Sequence, residues 1–482
     1  MSTLIRKIDN LITIARKKTT PYVYSYFLPI LVCLIVLLFW VANWQIVGLG
    51  VLVIATCFLL LTYDDFMPII PFLFMIPMCF RDTTTAFQND FTASIILFAT
   101  LFIFVVLHFI KYPLKKLVFD NFFFVTLIVL AMYLLTGVFA GKFKHYFDAI
   151  DVLLISGLMP LIIHFLLSNK VDFSTSIDHR RYFLVCLLSA ITLACLQMIF
   201  DKCLDHFFEL YVSTQNKSSW SNTNHVASLC LIAIPLCLYL MISSKNWWIY
   251  LVELLLFYVT IYVSGSDGGF ATIICFTPFI FILFYHHSHV KTKKYLNLIY
   301  LIIISAVLLA LAIIFLFWID NFIAFLDDSS SGTGRVNPYN LALKNFLTYP
   351  IFGLGLGEGR FVLDSTFPSS IEAYNGFYHS TFLHLLACCG LVGIAVYAFY
   401  YVKRIQLLGA NDTVLGKFAL MAFAMFAVYG MIENNEFNIV LLYMTTTITM
   451  IGLINKKGSG DKPLPLVYKP KKLPSINNVS WN

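Results

Sequence analysis

Charge is what this chain has least of. Asp, Glu, Lys and Arg make up 12% of its 482 residues, about half the share of a soluble globular protein. With 60% of the residues hydrophobic, there are too few polar side chains to cover a water-facing surface, and a soluble fold is excluded. Other signals are missing as well. No Cys-x-x-Cys pair occurs, and the 11 cysteines lie mostly in apolar runs, as at Cys57, Cys186, Cys195, Cys230 and Cys275. They read as small buried hydrophobes, so no metal site is expected. There is no G-x-G-x-x-G fingerprint within a strand-turn-helix unit, which removes a dinucleotide fold. The first apolar block lacks a small-x-small cleavage pattern, so the N-terminus is expected to be retained. No internal repeat of the kind that builds solenoids is found.

What is present is apolar and aromatic, with 47 Phe among the 17% aromatic residues. A helix crosses the hydrocarbon with about 20 apolar residues, and about 14 segments meet that need. They lie near 22–41, 44–62, 66–80, 91–110, 119–138, 148–168, 181–200, 225–243, 247–264, 268–286, 296–318, 380–402, 413–432 and 437–455. The fold class is therefore all-α, a polytopic membrane bundle of about 12–14 spanning helices. The third segment is short and carries Pro68, Pro71 and Pro77, which reads as a re-entrant or a kinked stretch.

The net charge of +7 does not point to nucleic acid, because the basic residues are scattered over short loops and tails. Their distribution follows sidedness instead, since Lys and Arg accumulate on the cytoplasmic side. With the N-terminus inside, only Arg81, Lys142, Lys144, Lys202, Lys217, Arg335, Lys344 and Arg360 fall outside, and the other 24 of 32 fall inside. Both termini are thus expected in the cytoplasm. Four regions follow: an N-terminal bundle over 1–318, an extracytoplasmic loop over 319–379, C-terminal helices over 380–455 and a basic, proline-containing tail over 456–482 that lies near anionic lipid.

The large outer loop carries the chemistry. Asn337-Pro338 is a helix start, with a capping side chain and a proline where no backbone donor is needed, and the helix stops before Pro350. Leu341, Leu343, Phe346 and Leu347 give it an apolar face. Arg335, just ahead of it, adds a guanidinium to the unsatisfied N–H groups of a helix start, a combination that holds a phosphate; the bland alternative is an arginine reaching for lipid headgroups. The run Gly353-x-Gly355-x-Gly357-x-Gly359 permits tight turns and close backbone approach, with a structural turn as its main reading. Glu358 and Arg360 beside it are ligand contacts or a solvated pair. His379, at the mouth of the next apolar block, is a general base or an interfacial residue. His384, five positions on, points about 140° away on a helix and belongs to packing.

The order Gly334-Arg335, apolar helix, Pro350-x-x-Gly353-x-Gly355, His379-x-x-x-Leu383 and Gly390-Leu391-x-Gly393 resembles the O-antigen ligase and Wzy polymerase superfamily over about 330–395. Asn222-x-Asn224-x-x-Ala227 and Ser264-Gly265-Ser266-x-Gly268-Gly269 look like further landmarks of it. The resemblance implies an integral-membrane glycosyltransferase of the GT-C type in a bacterial plasma membrane. It would use a polyprenyl-pyrophosphate-linked glycan donor and a glycan acceptor on the outer face, without cofactor, metal or nucleotide sugar, alongside other envelope polysaccharide assembly proteins. By position, Arg335 corresponds to the arginine that grips the donor pyrophosphate and His379 to the histidine that activates the acceptor hydroxyl. Arg360, Glu358, Gly353, Gly355, Asn222, Asn224 and Lys344 are the candidate substrate-binding residues. Two positions depart from the pattern: Asp267 stands where the family commonly has an arginine, making Arg360 or Lys344 the candidate replacement, and Ser380 stands where an asparagine often follows the histidine.

Polymerisation of lipid-linked repeat units is the leading functional reading. A ligase that moves finished glycan to a lipid or protein acceptor is the alternative. A transporter is the reading from another class, and it calls for mid-membrane charges on paired broken helices. Asp151, His164 and Glu253 are such charges, but no matched halves accompany them.

Overall fold

A computed structural model describes residues 2–79, 91–114, 117–137, 150–173, 178–205, 223–288, 336–358 and 378–457. All regular structure among these residues is helical. In chain order the helices are α1 (Ser2–Val23), α2 (Phe27–Val41), α3 (Gln45–Thr62), α4 (Ile70–Met75), α5 (Phe91–Lys111), α6 (Asn121–Leu135), α7 (Leu153–Lys170), α8 (His179–Asp205), α9 (Thr223–Ser243) and α10 (Trp247–Val263). They continue as α11 (Asp267–His287), α12 (Val336–Thr348), α13 (Thr381–Leu408), α14 (Val414–Tyr429) and α15 (Val440–Lys457).

Among the described residues six helices, α3, α7, α8, α9, α11 and α13, are long and apolar enough to cross a membrane, while α1 and α2 meet that measure only together and are sharply bent between them. The expected segments from 22–41 to 268–286, and the three from 380 onward, fall on helices. The segment 296–318 and the tail beyond Lys457 lie outside the described residues. The bundle turns its apolar side chains outward as well as inward: Val252, Leu255, Val259 and Tyr262 form an exposed stripe on α10, and Phe27, Ile30, Leu34 and Leu38 form another on α2. Spacings of three and four residues put each set on one helix face, and such stripes belong against acyl chains rather than water. The protein is a multi-pass membrane protein.

α9 is the central post. Its residues from Val226 to Leu240 are buried on every side, which fits a helix without a polar face; α8, α10, α11 and α14 surround it. The ends of the bundle can be told apart along α8. Near its start, Tyr182 donates to the Val23 carbonyl at the end of α1, 3.1 Å away. Toward its other end, Gln197 donates to the Met78 carbonyl at 2.8 Å, and α9 then starts at that far end.

The proline-broken third segment runs through the interior. It consists of α4 between two tight 3₁₀ turns, Met67–Ile69 and Ile76–Cys79, and Met67, Phe74, Met75 and Met78 are fully buried. Phe66 donates to the Lys170 carbonyl at the α1 end, and Met78 reaches the level of Gln197. Between Phe66 and Cys79 it is kinked at both ends of α4, and the residues that follow it lie outside the described ones. Its broken ladder is tolerated because it is enclosed by protein.

α13 is also broken. Gly390 has φ +63°, so the helix consists of an initial segment from Thr381 and a long second one from Leu391. A break at membrane depth leaves carbonyls and amides that water cannot satisfy, and here the chain after α12 satisfies them. Leu354 and Gly355 donate to the carbonyls of Ala387 and Cys388, both at 2.9 Å, while Leu391 and Val392 donate to those of Pro350 and Ile351 at 2.9 and 3.1 Å. Gly353, at φ +69°, lies so close that a Cβ would sit 2.2 Å from the Cys388 carbonyl carbon. The glycine run thus serves a backbone joint rather than only a turn back to the bilayer. Gly353→Ala should cost at least about 3 kcal/mol of stability, in the range of severe core strain. Gly50→Ala, where a new Cβ meets nothing within 4 Å, should gain about 0.5–1 kcal/mol. Thermal unfolding of the purified variants separates the two, and equal melting temperatures would remove the joint from the account.

Candidate functional site

The far end of the bundle gathers polar residues from four helix termini. α13 starts at Ser380, whose hydroxyl oxygen accepts from the Leu383 amide at 3.3 Å. Serine is among the favoured helix caps. His379, just ahead of the cap, has φ +49°. A left-handed backbone at a non-glycine residue is uncommon and has to be held by its surroundings. Two contacts from α12 brace it: the Tyr339 hydroxyl reaches the His379 carbonyl at 3.4 Å, and Asn345 donates to the Tyr378 hydroxyl at 2.7 Å. Burial pushes the Tyr378 hydroxyl far above its ordinary range, with the nearby Cys388 adding to the shift, so Tyr378 stays a neutral phenol.

Against this helix start lies a segment that reads in the sequence as a short gap between spans. Residues Glu433 to Asn438 are all buried, Glu433 at 4% exposure and Glu436 at 0%. Thr381 ties α13 to this hairpin, its amide donating to the Gly430 carbonyl at 2.8 Å and its hydroxyl to the Glu433 carbonyl at 3.2 Å. The Glu433 carboxylate accepts from Asn224 Nδ2 at 2.7 Å and from the Asn434 amide at 3.2 Å. Its Oε1 stands 3.6 Å from His379 Nδ1, which is ion-pair range and longer than a hydrogen bond.

The two upstream landmarks meet here too. Ser266 caps α11 by accepting from the Gly269 amide at 3.2 Å, and its hydroxyl pairs with the Tyr429 hydroxyl at 2.7 Å. Tyr429 in turn reaches the Asn224 carbonyl at 3.4 Å. Gly269 is required by proximity, because a Cβ there would lie 2.9 Å from that of Ala227. Asp267 is exposed in the first turn of α11, where a carboxylate is favoured by the helix dipole.

Of the expected site residues, the structure therefore brings together His379 and Asn224, through Glu433. Gly353 and Gly355 belong to the joint on α13, and Glu358, which follows it, is buried rather than one of a solvated pair. Lys344 is exposed on α12, and α12 itself spans the stretch in which the helix after Asn337-Pro338 is expected. His384 is packed between Tyr378 and Phe437, with ring centroids at 5.7 and 4.5 Å. Arg335, Arg360 and Asn222 lie outside the described residues. Among the described residues, no three His, Cys, Asp or Glu side chains come together in a way that could hold a metal ion.

Glu433 is the residue that sequence reasoning missed. The signal was Glu433-Asn434-Asn435-Glu436 wedged between two apolar helices, where ionisable residues are functional candidates by default. Glu436 has a separate task. It forms a bidentate pair with Arg404, whose Nη2 donates to Oε2 at 3.0 Å, and it accepts from the Tyr401 hydroxyl at 2.9 Å. The guanidinium carbon lies 3.9 Å from the Tyr400 ring centre. Arg404 is fully buried, so among the basic residues counted on the inner side it is an internal anchor rather than a surface charge.

Helix termini that converge on a buried carboxylate and a braced histidine, at one end of a membrane bundle, define the class: a polytopic membrane protein with a polar site at one face. Residues 251–398 match the family model for O-Antigen ligase, and this bears out the superfamily resemblance read from the motifs. The match takes in α10 from Leu251 onward, α11, α12, His379 and most of α13, while Asn224 and Glu433 lie outside it. No curated protein matches the chain.

Removing one member of the buried pair should be costly. Glu436→Gln, which strands the Arg404 guanidinium, should lose about 3–5 kcal/mol, whereas Glu436→Gln combined with Arg404→Met should recover most of it. Thermal stability of the single and double variants checks this, and a double variant no better than the single would refute the anchoring role.

Proposed function

We propose that this protein joins glycan from a polyprenyl-pyrophosphate-linked donor to the hydroxyl of an acceptor, polymerising repeat units into a surface polysaccharide on the outer face of the plasma membrane. The observation that carries the reading is the position of His379. It lies within the stretch matching the O-antigen ligase family, its backbone is held in a left-handed conformation, and its Nδ1 faces the buried Glu433 carboxylate. The match supports a glycosyltransferase-like enzyme of polysaccharide assembly, with lipid-linked glycan and acceptor as substrates.

In the reaction the acceptor oxygen attacks the anomeric carbon as the bond from that carbon to the pyrophosphate oxygen breaks. His379 takes the hydroxyl proton. Glu433 favours a proton on Nδ1 and stabilises the imidazolium that forms, which directs Nε2 to the acceptor. Asn224 keeps the carboxylate in register. Arg335 meets the negative charge developing on the pyrophosphate with two parallel hydrogen bonds, and Arg360 is the proposed second contact in place of the arginine that Asp267 replaces. One displacement inverts the anomeric centre. Transfer of finished glycan to a different acceptor uses the same groups, and the family's description as O-Antigen ligase favours this second reading.

Reconstitution with a lipid-linked oligosaccharide decides between them: polymerisation gives a ladder of products, and ligation gives one added unit on a foreign acceptor. His379→Ala should lower turnover by about 100-fold or more with donor binding retained. Arg335→Lys should keep little activity, because lysine offers a point charge without the paired geometry. A fully active His379→Ala would end the base assignment, and a fully active Arg335→Lys would end the clamp.

A further inference from the structure

α1 is a helix with three different sides. It carries Arg6, Lys7, Arg16, Lys17 and Lys18 against one acid, Asp9, and its stretch Asn10–Val23 meets α2 at 86°. If α2 crosses the membrane, α1 therefore lies along its surface. One side faces the protein. The Thr19 hydroxyl pairs with the Tyr63 hydroxyl at 2.8 Å, the Arg16 guanidinium carbon sits 5.8 Å from the centre of that ring, and Val23 is buried. A second side, three to eleven residues apart, presents Leu11 at 65% exposure, Ile14 at 51% and Tyr22 at 66%, with Lys18 between them. A third side holds Asn10, Thr13 and Lys17.

We infer that α1 is an interfacial helix that docks on the anionic surface of the bilayer at the end of the bundle opposite the His379 site. Leu11, Ile14 and Tyr22 sink to the level of the first acyl carbons. Lys18, on the same stripe, reaches back to the headgroups with its charge while its methylenes stay among lipid. Arg16, Lys17 and Lys18 are all exposed, and a cluster of basic residues on an amphipathic helix beside a span is the arrangement that attracts anionic headgroups. Three features select lipid as the occupant. The exposed stripe is too narrow to bury a partner helix on its own, it adjoins the lipid-facing stripe of α2 that begins at Phe27, and the charge beside it is of one sign. The opposite-end placement follows from α8, which contacts Val23 near its start and leads to α9 and Asn224 at the other end.

The test uses the full chain in nanodiscs with a photo-crosslinking amino acid placed at Ile14 or at Thr13. Ile14 should crosslink to lipid acyl chains and Thr13 should not. Equal lipid crosslinking at both positions, or none at Ile14, would overturn the docking. A second measurement compares enrichment of phosphatidylglycerol over phosphatidylcholine around the purified protein by native mass spectrometry. Lys17→Gln with Lys18→Gln should reduce that enrichment by about fivefold or more. An unchanged ratio would remove the anionic surface as the partner, and a protein crosslinked at Ile14 in place of lipid would make the stripe an interface between polypeptides.

Discussion

A backbone in hydrocarbon has to satisfy its own amides and carbonyls, and this constraint governs the architecture more than any single side chain does. Most of the chain meets it with continuous helix. α13 does not, and the structure answers with the loop after α12, whose backbone pairs with both sides of the break at Gly390. That exchange determines where α12 lies, and α12 in turn braces Tyr378 and the carbonyl of His379. The position of the histidine is therefore a consequence of backbone hydrogen bonding some distance away, which is why glycine, with no Cβ to hold the chains apart, is required at 353 and 390.

The polar hairpin after α14 solves a related difficulty in another way. Two carboxylates are buried within four residues, and each is matched by a different device. Glu436 has a guanidinium and a tyrosine hydroxyl, a pairing complete enough to be structural. Glu433 has an asparagine amide and a backbone amide, with a histidine at 3.6 Å. The Glu433 carboxylate thus lies between the start of α9 and the His379 imidazole. The contrast between the neighbours separates a closed structural pair from a carboxylate that borders the histidine.

Much of this was legible in the sequence where the signal is local. Apolar runs located the spanning helices, and Asn337-Pro338 with Pro350 bracketed α12. The proline triplet marked α4 as broken, although only burial shows that it runs through the interior. His379 could be singled out by its place at a boundary and by family resemblance, but its partner could not, because Glu433 is more than fifty residues on and sits in what looked like a turn. α1 escaped notice for a similar reason: its basic residues suggested a tail, and its helical periodicity acquires meaning only once α2 supplies the bend. The joint at Gly390 is the least readable feature, since backbone pairing between distant segments leaves no side-chain pattern behind.

The joint also defines a unit of cooperativity. Four backbone hydrogen bonds link Pro350 to Gly355 with Ala387 to Val392, and each, if broken, would strand a donor and an acceptor where no water can replace them. Partial fraying is therefore disfavoured. The loop and the break are thereby coupled, and through α12 the coupling reaches the backbone of His379.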